Sequence, residues 1–290
     1  MKPGIIVNAD DLGVDLATTR GIASAYRNGI VSSASLMVVM PAIEDAVTTA
    51  KSMDMPVGLH LSLTQGRAVA AGLDRLIDGG GFFKLRAKEL IRLRSKDTSL
   101  IEQIRTEIRA QLSKASDYGL SLSHVDSHQH VHMHPVIFSI VEKEAARFGI
   151  RHIRFSREPF RFLWCSGDYS QIIKRGNLSK WLVTRLYASR IKPQLEKPDL
   201  FFGNFYSGVI TKPVLLNFLR IIPSNKSVEL CIHPGLPVQP SGLPANNFEA
   251  FSASPYRRLE HDALIDAEVI NLVRKRGLTL RSFDGMTKYW

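Results

Sequence analysis

The sequence predicts an α/β fold in which seven or eight parallel strands close into an irregular (β/α) barrel of the TIM type. Three observations predict it. Short apolar, β-branched runs alternate with stretches of helical periodicity along the 290 residues. Polar residues with chemical potential sit where those runs end: Asp10, Asp11, His60, His128, Arg154, His233 and Asp284. No glycine-rich phosphate loop marks the single switch point at which an open, doubly wound sheet gathers its site.

The elements follow in order. GIIVNAD (4–10) reads as the first strand, and the helical stretch after it ends at Asn28-Gly29. SASLMVV (33–39) is the second strand, and Pro41 opens the next helix, where a missing N–H costs nothing. VGLHLSL (57–63) is the third, followed by a glycine-rich excursion at Asp78–Gly81 without periodicity. Beyond Ser99, the positions Ile101, Ile104, Ile108, Leu112 and Ala115 keep helical spacing. Ser99 and Glu102 have the spacing of a capping box, and Gly119 is placed to end the helix. LSHVDSH (122–128) is the fourth strand, and Pro135 opens another helix. IRHIRF (150–155), DLFFGNF (199–205), VELCIH (228–233) and LTLRSF (278–283) complete the strands, while HPGLPVQPSGLP (233–244) reads as a long ordered loop. No internal repeat or linker divides the chain, so residues 1–290 read as one domain.

Composition narrows the class. At 44% apolar and 22% charged, the chain can bury a sizeable core. Two cysteines, Cys165 and Cys231, exclude a disulfide framework and suit a reducing compartment. MKPGIIVNADD leaves no room for a signal peptide, and no apolar run approaches the roughly 20 residues that span a bilayer. The expected location is cytoplasmic, peripheral at the inner membrane surface. The net charge of +11 is uneven: residues 151–197 hold eleven Lys or Arg against three acids, 11 − 3 = +8. Such a segment suits solvent or an anionic membrane; no nucleic-acid motif accompanies it.

The chemistry gathers at strand ends. Asp10 and Asp11 leave an apolar strand that would not otherwise tolerate them. Neighbours on a strand face opposite ways, so one can hold a cation while the other handles a proton. His60 lies among leucines, and Asp126 lies two residues before His128, where it can orient an imidazole through its second nitrogen. Asp11, His60 and His128 make a set of one carboxylate and two imidazoles, which leaves coordination positions open and suits catalysis. HVDSHQHVHMHP (124–135) offers five histidines at even positions. Two strand residues advance the chain by about 6.6 Å, so one cation cannot collect that ladder, and only His128 is expected as a ligand. His124 should lie deeper, His130 in the following turn, and His134 at a helix entry. His132 is the competitor, expected behind the ligands or lining the substrate cleft.

IVNADDLG (6–13), VGLHLSL, HVDSHQHVHMHP and CIHPG (231–235), in this order, resemble the YdjC-like carbohydrate deacetylases, which include chitooligosaccharide and hopanoid-associated deacetylases. The resemblance is close from residue 4 to about 155 and returns around 228–237. It implies an irregular barrel and a divalent-metal hydrolase that removes acetyl groups from N-acetylated amino sugars. Carried over, it makes Asp11, His60 and His128 the metal ligands, Asp10 the general base and His233 the acid, with Arg154 placed to keep Asp10 ionised. Two imidazoles favour zinc, whereas the resemblance points to magnesium. From SREPFRFLW (156–164) through NLSKWLVTRLYASRIKPQL (177–195) the chain is basic and aromatic and looks like the hopanoid-associated branch. That implies a lipid-linked glycan substrate, with Trp164 and Trp181 near an anionic membrane, although a helical wheel over 178–192 does not separate apolar from basic positions. A homodimer is an open assembly state. The rival readings are a metal- or glycan-binding protein without turnover, and a different metal-dependent hydrolase on the same barrel.

Overall fold

The computed structural model describes residues 1–237 and 253–288, so the predicted 233–244 loop lies outside the described residues from 238 onward. In chain order the elements are β1 (Gly4–Leu12), α1 (Leu16–Asn28), β2 (Ser33–Leu36), α2 (Ile43–Ser52), β3 (Val57–Leu61), α3 (Ala87–Leu90) and α4 (Thr98–Asp117). Next come β4 (Leu122–Ser127), α5 (Pro135–Arg147), α6 (Ser170–Lys174), α7 (Asn177–Ala188), β5 (Leu200–Phe202) and α8 (Lys212–Ile221). Finally β6 (Ser227–Ile232), α9 (Pro255–Leu264) and α10 (Ala267–Lys275) follow. Two 3-10 turns, His128–Met133 and Phe160–Cys165, sit on either side of α5.

Six strands form one parallel sheet in the order β4-β3-β2-β1-β6-β5. The expected seven or eight strands reduce to these among the described residues. The segments predicted as the fifth and eighth strands make only isolated parallel bridges, Ile153 with Val125 and His152 with Glu196 for the fifth, and Leu280 with Ile5 for the eighth. The reasons are local. Val125 N donates to the His152 carbonyl and Arg154 N to the Val125 carbonyl, and the pairing with β4 stops at that pair of bonds, while Ile153 N bonds Glu196 on its other side. Thr279–Arg281 meets β1 only around Ile5, because Ser32 takes the carbonyl of Val7 and β2 continues from there.

β1 beyond Gly4, β2, β3 and β6 are buried throughout, as strands covered on both faces must be. Alternate residues divide the sheet. Val7, Ala9, Ala34, Leu36, Leu59, Leu61, Val125, Leu230 and Ile232 join the apolar core. Asn8, Asp10, Ser35, His60, His124, Asp126 and Glu229 face the other way and fill a polar interior. The sheet is curled. On a flat sheet β4 and β1 would stand about 14 Å apart. Yet the Arg154 guanidinium reaches Asp10 of β1 at 2.7 Å, Asp126 of β4 at 2.8 Å and Glu229 of β6 at 2.5 Å. Gly58 keeps one interior contact tight: a Cβ there would stand 2.3 Å from His124 Nδ1.

α4 shows where local signals succeed and fail. Gly119 takes a left-handed φ of 67° just past the helix, as its position foretold. The N-cap, however, is Asp97, whose carboxylate accepts from Leu100 N, so Ser99 lies inside the first turn.

Candidate active site

The tandem carboxylates do not point to opposite faces. β1 carries a bulge: Ala9 pairs with Ala34 and Leu12 with Leu36, so three steps on β1 oppose two on β2. Asp11 absorbs the extra residue in a left-handed conformation, φ 69°, which Asp tolerates better than most side chains. Both carboxylates therefore enter one site. Asp11 Oδ1 lies 3.5 Å, and Asp10 Oδ2 3.9 Å, from His60 Nε2.

His60 is held from behind by Asp126, whose Oδ1 is 2.7 Å from Nδ1, which leaves Nε2 facing the carboxylates. Asp126 thus orients His60, not its near neighbour His128. His128 follows β4 directly, and Gln129 and His130 then take left-handed φ values of 56° and 54°. The strand's alternation ends there. His128 Nδ1 sits 3.3 Å from Asp11 Oδ1.

The other histidines of the run are dispersed. His124 stacks on Phe283 at 3.8 Å, and its two nitrogens meet Ser35 and Ser123 hydroxyls. His130 turns to Ser156. His132 Nδ1 contacts Ser127 Oγ at 2.6 Å and Nε2 the Arg154 carbonyl at 3.1 Å. His132 is thus fully engaged behind the site and does not line the cleft, while it braces the backbone of Arg154. His134 occupies the position before α5 without a side-chain capping bond, and packs its ring against Tyr187.

Arg154 is fully buried and grips Asp10 with both Nη atoms at 2.7 Å. Burial alone would raise the Asp10 carboxyl, but Arg154, then His60 and His233, hold it well below the usual carboxylate range. Burial likewise opposes ionisation of Asp11, and Arg257, His128 and His60 overcome it. Burial works against a charge on His60 as well, yet Asp126, Asp10 and Asp11 around it raise it to about 10. His233 follows β6 with Nε2 4.0 Å from Asp10 Oδ2. Burial pushes that imidazole down to about 4 despite Asp11 and Asp10, so it rests neutral.

A cation has one well-suited place. Asp11 Oδ1 is buried and accepts no hydrogen bond, and its partner oxygen is taken by Arg257. The free oxygen and one nitrogen each from His60 and His128 lie within 4.8 Å of one another. A hard or borderline cation would satisfy such an orphaned acceptor and displace the Nε2 proton that the surrounding carboxylates favour on His60, while the Asp126 bond keeps the remaining proton on Nδ1. Two neighbouring clusters, Asp10–Cys231–His233 and Asp10–His60–Asp126, both rely on Asp10. Its oxygens are already occupied by Arg154, so they fit less well.

The site opens into a cleft of about 510 Å³, whose lining includes Asp10, His60, His128, Lys180, Tyr187 and His233. Four contributors escaped sequence reasoning. Ser35 ties Asn8, His124 and Asp126 together. Glu229 anchors Arg154 Nε; a lone acid in the apolar run VELCIH was a signal of the same kind as Asp10 and Asp11. From α9, Arg257 clamps Asp11, and Glu260 accepts the backbone N–H of His233 at 2.6 Å. Nothing in PYRRLEHDAL distinguishes those two from an ordinary amphipathic surface helix.

The chain is 34% identical over 232 residues to a carbohydrate deacetylase of Geobacillus stearothermophilus, covering 79% of this chain and 78% of that protein. It is 31% identical over 293 residues to a chitooligosaccharide deacetylase of Salmonella paratyphi B, covering 98% and 99%. The crystal structure of a putative cellobiose-phosphate cleavage protein from Enterococcus faecalis superposes with a TM-score of 0.71 at 21% identity, over 99% of this chain and 100% of that one, which shows a shared fold. The family model described as YdjC-like protein matches residues 4–275, and the chain belongs to that family.

Proposed function

We propose that this chain, acting as one catalytic domain over residues 1–290, hydrolyses the acetamide of an N-acetylated amino sugar. In this reading a single divalent cation, magnesium or zinc, is held by Asp11, His60 and His128. The observation that carries it is the buried, unsatisfied Asp11 Oδ1 facing two imidazoles at the floor of a cleft that also presents Asp10 and His233. The names of the curated relatives support the substrate class.

When bound, the cation would supply Lewis acidity, polarising the acetamide carbonyl and acidifying a water. The remaining steps belong to the protein. Asp10, kept anionic by Arg154, accepts a proton at Oδ2 as water adds to the carbonyl carbon. The same grip lowers its proton affinity, so the proton is readily passed on. His233 Nε2 stands 4.0 Å away, neutral and able to receive it. His233 then delivers the proton to the departing nitrogen as the C–N bond breaks, leaving acetate and a free amine. Asp126 and His132 hold His60 and Arg154 in place. The sugar is an N-acetylglucosamine-containing oligosaccharide or a lipid-linked glycan such as an acetylglucosaminyl hopanoid.

Acetate release from a panel of soluble and lipid-linked N-acetylglucosamine compounds, with and without chelator, tests this reading. Turnover should vanish with chelator and return on adding magnesium or zinc. Glycan binding without acetate would make the chain a binding protein, and release unaffected by chelator would remove the metal from the mechanism.

A further inference from the structure

The basic segment set apart by the sequence does not act as one surface. Arg154 is buried among three carboxylates, and Lys180 faces the cleft with its ammonium on Ser207 Oγ at 2.9 Å. Arg175 lines the same cleft and stacks on Tyr256, and Lys197 lies over Phe155; six others are exposed on or beside α6, α7 and the 160–165 turn, which carry an apolar stripe. On α7, Leu178, Leu182 and Leu186 lie one turn apart on a single face and are 47%, 60% and 50% exposed. Ile173, at 70%, and Trp164, at 64%, extend that surface across α6 and the 160–165 turn. Among the described residues nothing covers it. The wheel over 178–192 blurred this stripe because the helix ends at Ala188, so its last four positions do not belong on a wheel.

The cations around the stripe are as unusual as the leucines. Arg157, Arg161, Lys174, Arg185, Arg190 and Lys192 are exposed. Among the described residues none of the six lies within 4.0 Å of a carboxylate. An apolar face of this extent, ringed by unpaired positive charge, needs a partner that is both greasy and anionic.

We propose that the outer face of α6, α7 and the 160–165 turn docks on an anionic lipid bilayer. A second copy of this chain fits worse, because a two-fold contact would set the same basic residues against each other. A bilayer supplies apolar depth for the leucines and Trp164, and negative headgroups for the flexible cations, without demanding a shaped groove. Docking is peripheral: among the described residues no helix is long and apolar enough to cross a membrane. The opposite face of α7 (Lys180, Val183, Thr184 and Tyr187) walls the cleft, so docking would hold the cleft one helix away from the bilayer surface.

The test is co-sedimentation of the full chain with vesicles, either pure phosphatidylcholine or a mixture with phosphatidylglycerol. Wild type should bind the mixed vesicles at low salt, ignore the neutral ones, and release as ionic strength rises. Leu178→Ser/Leu182→Ser/Leu186→Ser and Lys174→Glu/Arg190→Glu should each weaken binding at least tenfold, with unchanged melting temperatures showing that both variants fold. Equal partition onto the two vesicle types, or full binding by the triple leucine variant, overturns the proposal. So does a wild-type dimer that ignores vesicles and that the leucine changes dissociate. Acetate release from soluble substrates plays no part in this test, so its outcome stands apart from the chemistry proposed above.

Discussion

Asp10→Asn is expected to lower acetate release by about 10²–10⁴-fold, the usual cost of losing a general base, while metal content stays at the wild-type level. The bulge in β1 brings both carboxylates to one site, but their oxygens are committed differently. Asp10 gives both to Arg154, with Asn8 and Cys231 adding contacts. Asp11 keeps Oδ1 free. An amide at position 10 retains the shape and can still accept from Arg154, but it cannot take the proton of attacking water. Activity assays paired with metal analysis of Asp10→Asn and Asp11→Asn check the division. If the first variant lost its metal and the second kept it, the two roles would exchange.

Arg154→Ala should be the most destabilising single change in the polar interior, by about 3–5 kcal/mol, because it leaves buried charges without their partner. Asp10, Asp126 and Glu229 all point at that guanidinium; Asp126 and Glu229 are sealed from water, and only Asp10 borders the cleft. Burial already lifts Glu229 to about 7 even with Arg154 attached, a sign of how little that site tolerates an unpaired anion. A loss of this size is a large share of the roughly 5–15 kcal/mol that holds a typical domain together. Arg154→Lys should recover only part of it, since one ammonium cannot reproduce three hydrogen-bonding directions. Chemical denaturation measures both variants. A change below about 0.5 kcal/mol for Arg154→Ala, the range of an ordinary surface substitution, would show that the arginine is not the hinge of this network.

The strands that carry the site were readable because parallel strands buried on both faces are apolar runs, and Asp10, Asp11, His60 and Asp126 interrupt them. What those interruptions do depended on partners distant in sequence, from 66 residues between His60 and Asp126 to 246 between Asp11 and Arg257. The bulge at Asp11 arises from pairing with β2 and carries no glycine to announce it. Arg154 was offered by its strand-end position as a partner of Asp10, but its simultaneous grip on Asp126 and Glu229 depends on the sheet's curl. IRHIRF and LTLRSF had strand composition, yet they make only isolated bridges, to Val125 and Glu196 for the first and to Ile5 for the second. Arg257 and Glu260 reach the site from an amphipathic helix whose pattern reports only that one face is buried.

The most direct test of the proposed centre is the metal content of purified histidine variants of HVDSHQHVHMHP. His128 Nδ1 lies 3.3 Å from Asp11 Oδ1, whereas His124 and His132 direct both nitrogens to groups other than Asp11. His128→Ala should therefore lose the metal along with turnover. His124→Ala, His132→Ala and His134→Ala should bind it at wild-type stoichiometry, with His132→Ala slower because Arg154 has lost its brace. A fully loaded His128→Ala, or a metal-free His132→Ala that remains folded, would contradict the account.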